Sequence, residues 1–333
     1  MQKEAPLLKI DGLTVTFDTS EGVVHAVDDV SFKINKGEIV GLVGESGCGK
    51  SVTALSILRL LPVPPARISG RALRFKDRDL LRVSESEMRA LRGRSISMVF
   101  QDPMTSLNPV FKIGFQIREM IQTHFPHMDR TAVEERAVEL LRRVRIPSPE
   151  SRMAAYPHQL SGGLRQRVMI AMALACDPEL MIADEPTTAL DVTIQAQILE
   201  LIQELQDDLG MSMLLITHDL GIVAQTTQRI VVMYAGKVVE QAETEAIFKT
   251  PRHPYTQGLL RSLPGRYVEI EGKRSLPSIP GMVPNLIQLP KGCAFRDRCD
   301  QAFERCEQAM PPLFSCGDPG HLVRCWRYAG EEH

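Results

Sequence analysis

Apolar positions along this chain follow two rhythms. Short, largely apolar runs at 39–43, 96–100, 180–183, 213–216 and 230–234 predict short strands buried on both faces. Between them, apolar residues recur at steps of three and four. The clearest such stretch, 192–209, places Ile194, Ile198, Leu201, Leu205 and Leu209 on one face, with Gly210 where a C-terminal helix cap belongs. A second helix is predicted over 132–144, with Val133, Ala137, Leu140, Leu141 and Val144 aligned, and a third over 52–61. Strands alternating with helices predict an α/β fold on a mainly parallel sheet covered by helices.

The pattern changes after Thr250. Pro251, Pro254, Pro264, Pro277, Pro280, Pro284 and Pro290 punctuate a stretch of weak periodicity, which predicts an extended, turn-rich connection. A small cysteine-rich piece follows. The expected organisation is one domain over 1–250, a connection over 251–290 and a cysteine-rich extension over 291–333. No internal repeat is present.

Composition narrows the classes. The chain has 333 residues, 44% hydrophobic and 24% charged, as in a folded soluble protein. A formal net charge of −2 gives no bulk electrostatic reason to bind nucleic acid or anionic lipid. The N-terminus lacks the apolar core of a signal peptide, and the longest apolar run, 168–176, is under half a membrane span. A cytosolic chain is the expectation. Five of the seven cysteines fall after residue 290, which in that compartment reads as a metal or redox site before a disulfide framework.

Residues 44–51, Gly44-Glu45-Ser46-Gly47-Cys48-Gly49-Lys50-Ser51, match the P-loop pattern between a predicted strand and a predicted helix. Glycines there let successive N–H groups curl around phosphate oxygens, and the helix N-terminus adds partial positive charge. Lys50 is expected to reach the β- and γ-phosphates, Ser51 to ligate Mg2+, and Cys48 to contribute only backbone, with Val52 beginning the helix. A nucleotide site also needs a carboxylate for the metal and a group that positions water. The run Leu180-Met181-Ile182-Ala183-Asp184-Glu185 offers Asp184 for the first and Glu185, as general base, for the second.

The segment Leu160-Ser161-Gly162-Gly163-Leu164-Arg165-Gln166 resembles the signature motif of ABC ATPases. In the same order as in that family, Gln101 resembles the Q-loop glutamine, Asp191 the D-loop aspartate and His218 the switch histidine. Phe17 stands where the family places an adenine-stacking aromatic. The resemblance implies a P-loop ABC nucleotide-binding domain: a RecA-like sheet, an antiparallel β subdomain, and an inserted helical subdomain at about 102–175. It also implies a head-to-tail dimer in which Ser161, Gly162, Gly163 and Gln166 face the ATP of a partner chain. Gln101 would join Ser51 and Asp184 at the magnesium, and His218 would steady the γ-phosphate against Glu185. Leu164 departs from the glutamine often found in the signature, at a position that varies in the family.

The stretches Gln101 to Pro109, Ala183 to Thr193 and Pro251 to Thr256 look like ATP-binding subunits of bacterial peptide importers. Some members carry nickel or other small solutes. Implied partners are a homologous second ATPase, two multispanning permease subunits and an extracytoplasmic binding protein, with the chain peripheral on the cytoplasmic face of the membrane. Cys293, Cys299, Cys306 and Cys325 are spaced C-x5-C-x6-C-x18-C, compatible with an iron–sulfur cluster or a structural zinc. The resemblance implies a [4Fe–4S] cluster at these four, with Cys316 a bystander. A soluble ABC ATPase acting on ribosomes or DNA is disfavoured by the single ATPase domain and the absence of a heptad run, and an exporter subunit only by the C-terminal resemblance.

Overall fold

A computed structural model describes residues 5–102, 106–188, 190–263, 268–270, 273–275 and 278–330. Residues 103–105, Ala189, Pro264 and Pro277, which belong to motifs or stretches read above, lie outside the described residues. The chain forms two compact units: the described residues of Met1–Ile34, Ile39–Leu81 and Thr217–His333, and those of Asn35–Glu38 and Arg82–Ile216.

The first unit opens with a long antiparallel pair, Leu8–Thr19 and Gly22–Ile34. Ala66–Ser69 and Ala72–Phe75 pair with the other side of Leu8–Thr19. The first pair is broken by register shifts between Ile10 and Thr16. Apolar positions slip from Leu8 and Ile10 to Leu13, Val15 and Phe17 across the first irregularity, so the two-residue alternation stands in the sequence but out of step on its two sides. The unit's second run of strands places Ile39–Val43 parallel to Arg229–Tyr234, which pairs antiparallel with Lys237–Glu243. Ile39–Val43 is buried at every residue, as its largely apolar run requires.

The end of the chain packs into this same unit. The strand Leu322–Val323 pairs with Lys237–Glu243. Tyr234, Tyr255 and Phe295 meet with ring centroids 4.7, 5.2 and 5.4 Å apart, close to Val43, Val223 and Ile230 in one core. Residues 251–290 are not wholly the extended connection expected. A helix, Pro254–Arg261, opens it, with Pro254 in the first turn and the His253 side chain capping the Tyr255 N–H. A proline in the first turn costs a helix nothing, because its missing N–H would have no partner there. A short antiparallel pair follows, Val268–Ile270 with Lys273–Ser275.

The second unit carries three parallel strands, Ile96–Val99, Leu180–Asp184 and Ser212–Thr217. Its helices include Ile113–His124, Arg130–Arg143, Gly162–Ala173 and Val192–Leu209. Val192–Leu209 matches the predicted bounds and ends at Gly210 with φ 59°. Ile198, Leu201 and Leu205 are buried and Ile194 and Leu209 half-buried. Arg130–Arg143 buries Val133, Ala137, Leu140 and Leu141 and is capped by Asp129. Among the described residues no helix is long and apolar enough to cross a membrane.

One carboxylate ties the C-terminal segments to the first unit. Glu240 is 0% exposed and accepts from the N–H groups of Arg252 (2.7 Å) and His253 (2.9 Å). His321 Nε2 stands 2.8 Å from the same carboxylate, where only a ring N–H can donate. The Glu240→Gln variant sets an amide NH2 among these donors and is expected to destabilise the chain by about 2 kcal/mol, read as a lowered urea midpoint at neutral pH; an unchanged midpoint would remove the knot from the account.

His253 makes a second demand. Its Nδ1 accepts the Tyr255 N–H at 3.0 Å, which requires an unprotonated nitrogen, and full burial pushes its pKa down from 6.5 to about 4. Between those values the unfolded chain binds a proton that the folded chain refuses, so stability falls as pH falls. From neutral pH to pH 5 the loss from this group should be roughly 2 kcal/mol. Urea midpoints at pH 7 and pH 5 should therefore fall further for the unsubstituted chain than for His253→Asn, which retains a capping side chain without a titrating ring. Equal falls would clear His253 of that role.

Candidate active site

The P-loop leaves its strand at Gly44, whose φ is 152°. A Cβ at Gly44 would lie 2.3 Å from the Met233 carbonyl oxygen and 2.7 Å from Cys48 Sγ, so both conformation and space demand glycine. Cys48 is wholly buried beneath the loop, and burial raises its thiol pKa. It is a packed, protonated thiol, consistent with use of its backbone alone. The helix Lys50–Ile57 starts at Gly49, and no side chain caps it. No side chain thus competes for the positive end of the helix, the arrangement that binds anions.

Lys50 is 5% exposed, and its Nζ donates to the carbonyl oxygens of Gly44 (2.8 Å) and Glu45 (3.1 Å). Ser46 and Gly47 are exposed and Ser51 and Val52 half-buried. In the same unit, Phe17 is half-buried in Leu8–Thr19, opposite Val24 and Ala66. His218 is exposed immediately after Ser212–Thr217, and the next residue, Asp219, caps the helix Leu220–Thr226.

The second unit brings the acids and the glutamine together. Asp184 ends its strand at 5% exposure. Glu185 follows with φ 45°, a left-handed conformation that costs a side-chain-bearing residue about 1–3 kcal/mol and collects at functional sites. Its N–H donates to the Ile216 carbonyl at 2.9 Å, and its carbonyl accepts from Thr188 N–H at 3.1 Å. The carboxylate Oε2 accepts from Gln101 Nε2 at 2.9 Å and from Thr188 Oγ1 at 2.8 Å. Backbone and side chain are therefore both anchored.

The signature segment caps its own helix, with Ser161 Oγ accepting from Leu164 N–H at 3.4 Å. A Cβ at Gly163 would meet Ile194 Cγ2 at 2.7 Å, so the signature helix sits hard against the start of Val192–Leu209. Asp191, the D-loop residue, caps that same helix by accepting from Ile194 N–H at 3.0 Å. Gly162 is half-buried, whereas Gln166 is 2% exposed and faces the interior.

Cys293, Cys299, Cys306 and Cys325 line one narrow cavity, walled by Phe295, Phe303, Pro311 and Trp326. Cys293 N–H donates to the Cys306 carbonyl at 2.7 Å. Burial raises the thiol pKa of Cys293 to about 11 and raises those of Cys299 and Cys325. Cys316 does not line this cavity; it packs on Val323 and Cys325. Among the described residues no three His, Cys, Asp or Glu side chains are grouped to hold one metal ion.

Sequence reasoning missed three residues that the structure places at these motifs. Thr188 shares the Glu185 carboxylate. Tyr255 Oη accepts the Glu45 N–H at 2.8 Å. Arg298 pairs with the Glu45 side chain. Thr188 could have been suspected from its place three residues after Glu185. Tyr255 and Arg298 lie 210 and 253 residues from Glu45 in the chain, and nothing local to either marks the encounter.

Comparison with known proteins follows this geometry. Residues 27–188 match the ABC transporter family, and residues 239–306 match the oligopeptide/dipeptide transporter C-terminal region. A probable peptide ABC transporter ATP-binding protein of Sinorhizobium fredii is 54% identical over 322 residues, covering 96% of this chain and 95% of the relative. The dipeptide transport ATP-binding protein DppD of Escherichia coli is 51% identical over 319 residues, 96% of each chain. Among solved structures, a post-hydrolysis dimer of the ATP-binding cassette MJ0796 bound to ADP and phosphate has a TM-score of 0.64 at 27% identity, covering 71% of this chain and 98% of that one. With the phosphate loop, the paired acids and the signature helix in place, this likeness along nearly its whole length assigns the chain to the ABC transporter ATPases, in the group that carries the oligopeptide/dipeptide transporter C-terminal region.

Proposed function

We propose that this chain is the ATP-hydrolysing subunit of a membrane importer for di- and oligopeptides. The observation that carries the reading is end-to-end likeness to peptide-importer subunits, including the C-terminal region beyond residue 239. That region does not favour nickel or another small solute as cargo, nor a ribosomal or DNA target. The chain would work as a peripheral subunit on the cytoplasmic face, with a homologous second ATPase, two permease subunits and an extracytoplasmic binding protein.

The residues divide the work by their chemistry. N–H groups of 44–52 and the Lys50 ammonium bind the phosphates, while Phe17 stacks on the base. Ser51, Gln101 and Asp184 would hold Mg2+, which when bound would neutralise phosphate charge. Glu185 takes the proton of the attacking water, and His218 steadies the γ-phosphate. Fixing Glu185 by Gln101 and Thr188 supports this role, because a base must be aimed before its basicity matters. Ser161 and Gly163 act on the nucleotide of the partner ATPase, and Asp191 holds the helix against which that segment packs.

Cys293, Cys299, Cys306 and Cys325 would hold a [4Fe–4S] cluster. Their shared cavity supports this. The matched family descriptions name no metal. Bound there, the cluster would cross-link the 293–306 loop to the segment around Cys325, a structural task rather than a redox one.

Two measurements test the proposal. The Glu185→Gln variant should keep ATP affinity near that of the unsubstituted chain and lower hydrolysis at its own site by about 100-fold or more; turnover near the unsubstituted rate would remove Glu185 as the base. Protein purified without oxygen should contain roughly four irons with equal acid-labile sulfide per chain. Stoichiometric zinc with no visible absorption would replace the cluster by a zinc module.

A further inference from the structure

Glu45 is the second residue of the P-loop, yet its side chain is engaged from outside the loop. Arg298 Nη1 donates to its Oε2 at 2.6 Å and Arg298 Nη2 to its Oε1 at 3.0 Å, a bidentate pair. The Arg298 side chain is only 5% exposed. Its remaining donors are satisfied by the carbonyls of Pro280 (2.9 Å) and Ile279 (3.4 Å) and by Tyr234 Oη (3.3 Å). The guanidinium also lies over the rings of Tyr234 and Phe295, at 5.7 and 5.9 Å from their centroids. Its pKa is raised, chiefly by the hydrogen bonds to Glu45.

The backbone of the same residue is held as well. Glu45 N–H donates to Tyr255 Oη at 2.8 Å, and Tyr255 is fully buried in the aromatic cluster with Tyr234 and Phe295. Besides its carbonyl contacts within the loop, this P-loop residue is thus gripped at its N–H and its side chain by groups from beyond residue 230. An exposed ion pair would be worth little. Here Arg298 is buried and Glu45 half-buried; a bidentate pair with every guanidinium donor used holds one geometry, and losing Glu45 would leave the buried Arg298 charge without its counter-ion.

We propose that Arg298 is a positioning residue for ATP binding, fixing the conformation of the P-loop through Glu45, so that the segment bearing Cys293 and Cys299 sets the affinity for nucleotide. The loop's glycines would otherwise sample many backbone states, and ordering them on binding weakens affinity. A preformed loop avoids that loss. Phe295, which lines the cysteine cavity, also lies beneath the Arg298 guanidinium, so the packing of that cavity bears on it.

The inference rests on ATP binding by residues 44–52, and its test separates the two. The full chain, unsubstituted and as Glu45→Gln, Arg298→Met and the double variant, is titrated with magnesium and a fluorescent ATP analogue. Thermal unfolding is recorded for each. Each single variant should raise Kd about tenfold, and the double variant no more than either single one, because the pair acts as a unit. In the assembled transporter, the KM for ATP should rise more than kcat falls, and Arg298→Lys should lie between. If the single variants unfold earlier but bind within about twofold of the unsubstituted chain, Arg298 serves only the C-terminal fold and the proposal fails. Multiplying effects in the double variant would also overturn it. Should Arg298→Met not fold, Glu45→Gln carries the comparison, since there the guanidinium keeps Tyr234, Pro280 and Ile279. Absence of binding by the unsubstituted chain overturns both readings at once.

Discussion

A loop that binds phosphate with its own N–H groups cannot hold itself together. Amides aimed at one centre are unable to satisfy one another, so the restraint must come from neighbours. In this chain the neighbours are remote in sequence. The Met233 carbonyl crowds Gly44, Gly236 N–H donates to the Cys48 carbonyl at 3.0 Å, and Tyr255 and Arg298 hold Glu45. The buried Lys50 ammonium spans the inside of the loop through two of its carbonyls. Much of the first unit can be understood as the scaffold for eight residues.

The same logic places Glu240. It is no part of the chemistry, yet it organises what lies behind the loop, joining Lys237–Glu243 to the start of Pro254–Arg261 and to His321. A fully buried carboxylate is tolerable only when its acceptor sites are filled. Filling them fixes where helix Pro254–Arg261 begins, and so where Tyr255 stands. His253 contributes to both ends of this arrangement, giving its N–H to Glu240 and taking the Tyr255 N–H on its ring.

How far this was legible from the sequence depended on whether a signal was local. Largely apolar runs gave the strands Ile39–Val43 and Leu180–Asp184 to within a residue, and the spacing of Ile198, Leu201 and Leu205 gave the helix Val192–Leu209. The chemical motifs were readable because phosphate binding requires particular residues at short fixed spacings. Leu8–Thr19 was not picked out as a strand, although Leu13, Val15 and Phe17 alternate with polar residues; the irregularity around Gly12 shifts that alternation out of step with Leu8 and Ile10. Proline count misled over Pro254–Arg261, where Pro254 starts the helix rather than preventing it. Tyr255 and Arg298 were invisible for a different reason: their significance lies in tertiary encounters that no window of sequence contains. The Glu185–Gln101 contact, across 84 residues, was foreseeable only through likeness to other proteins.

The 253 residues that separate Glu45 from Arg298 also have a meaning for biosynthesis. Chains are made from the N-terminus at about 5–20 residues per second, so the phosphate loop leaves the ribosome roughly 10–50 seconds before the guanidinium that braces it. During that interval the nascent chain displays the whole motif without its outer support. A message cut short before residue 298 would encode a protein that looks competent to any motif search. It would nevertheless lack Arg298, so a contact on a loop made early waits on a residue made some 253 positions later.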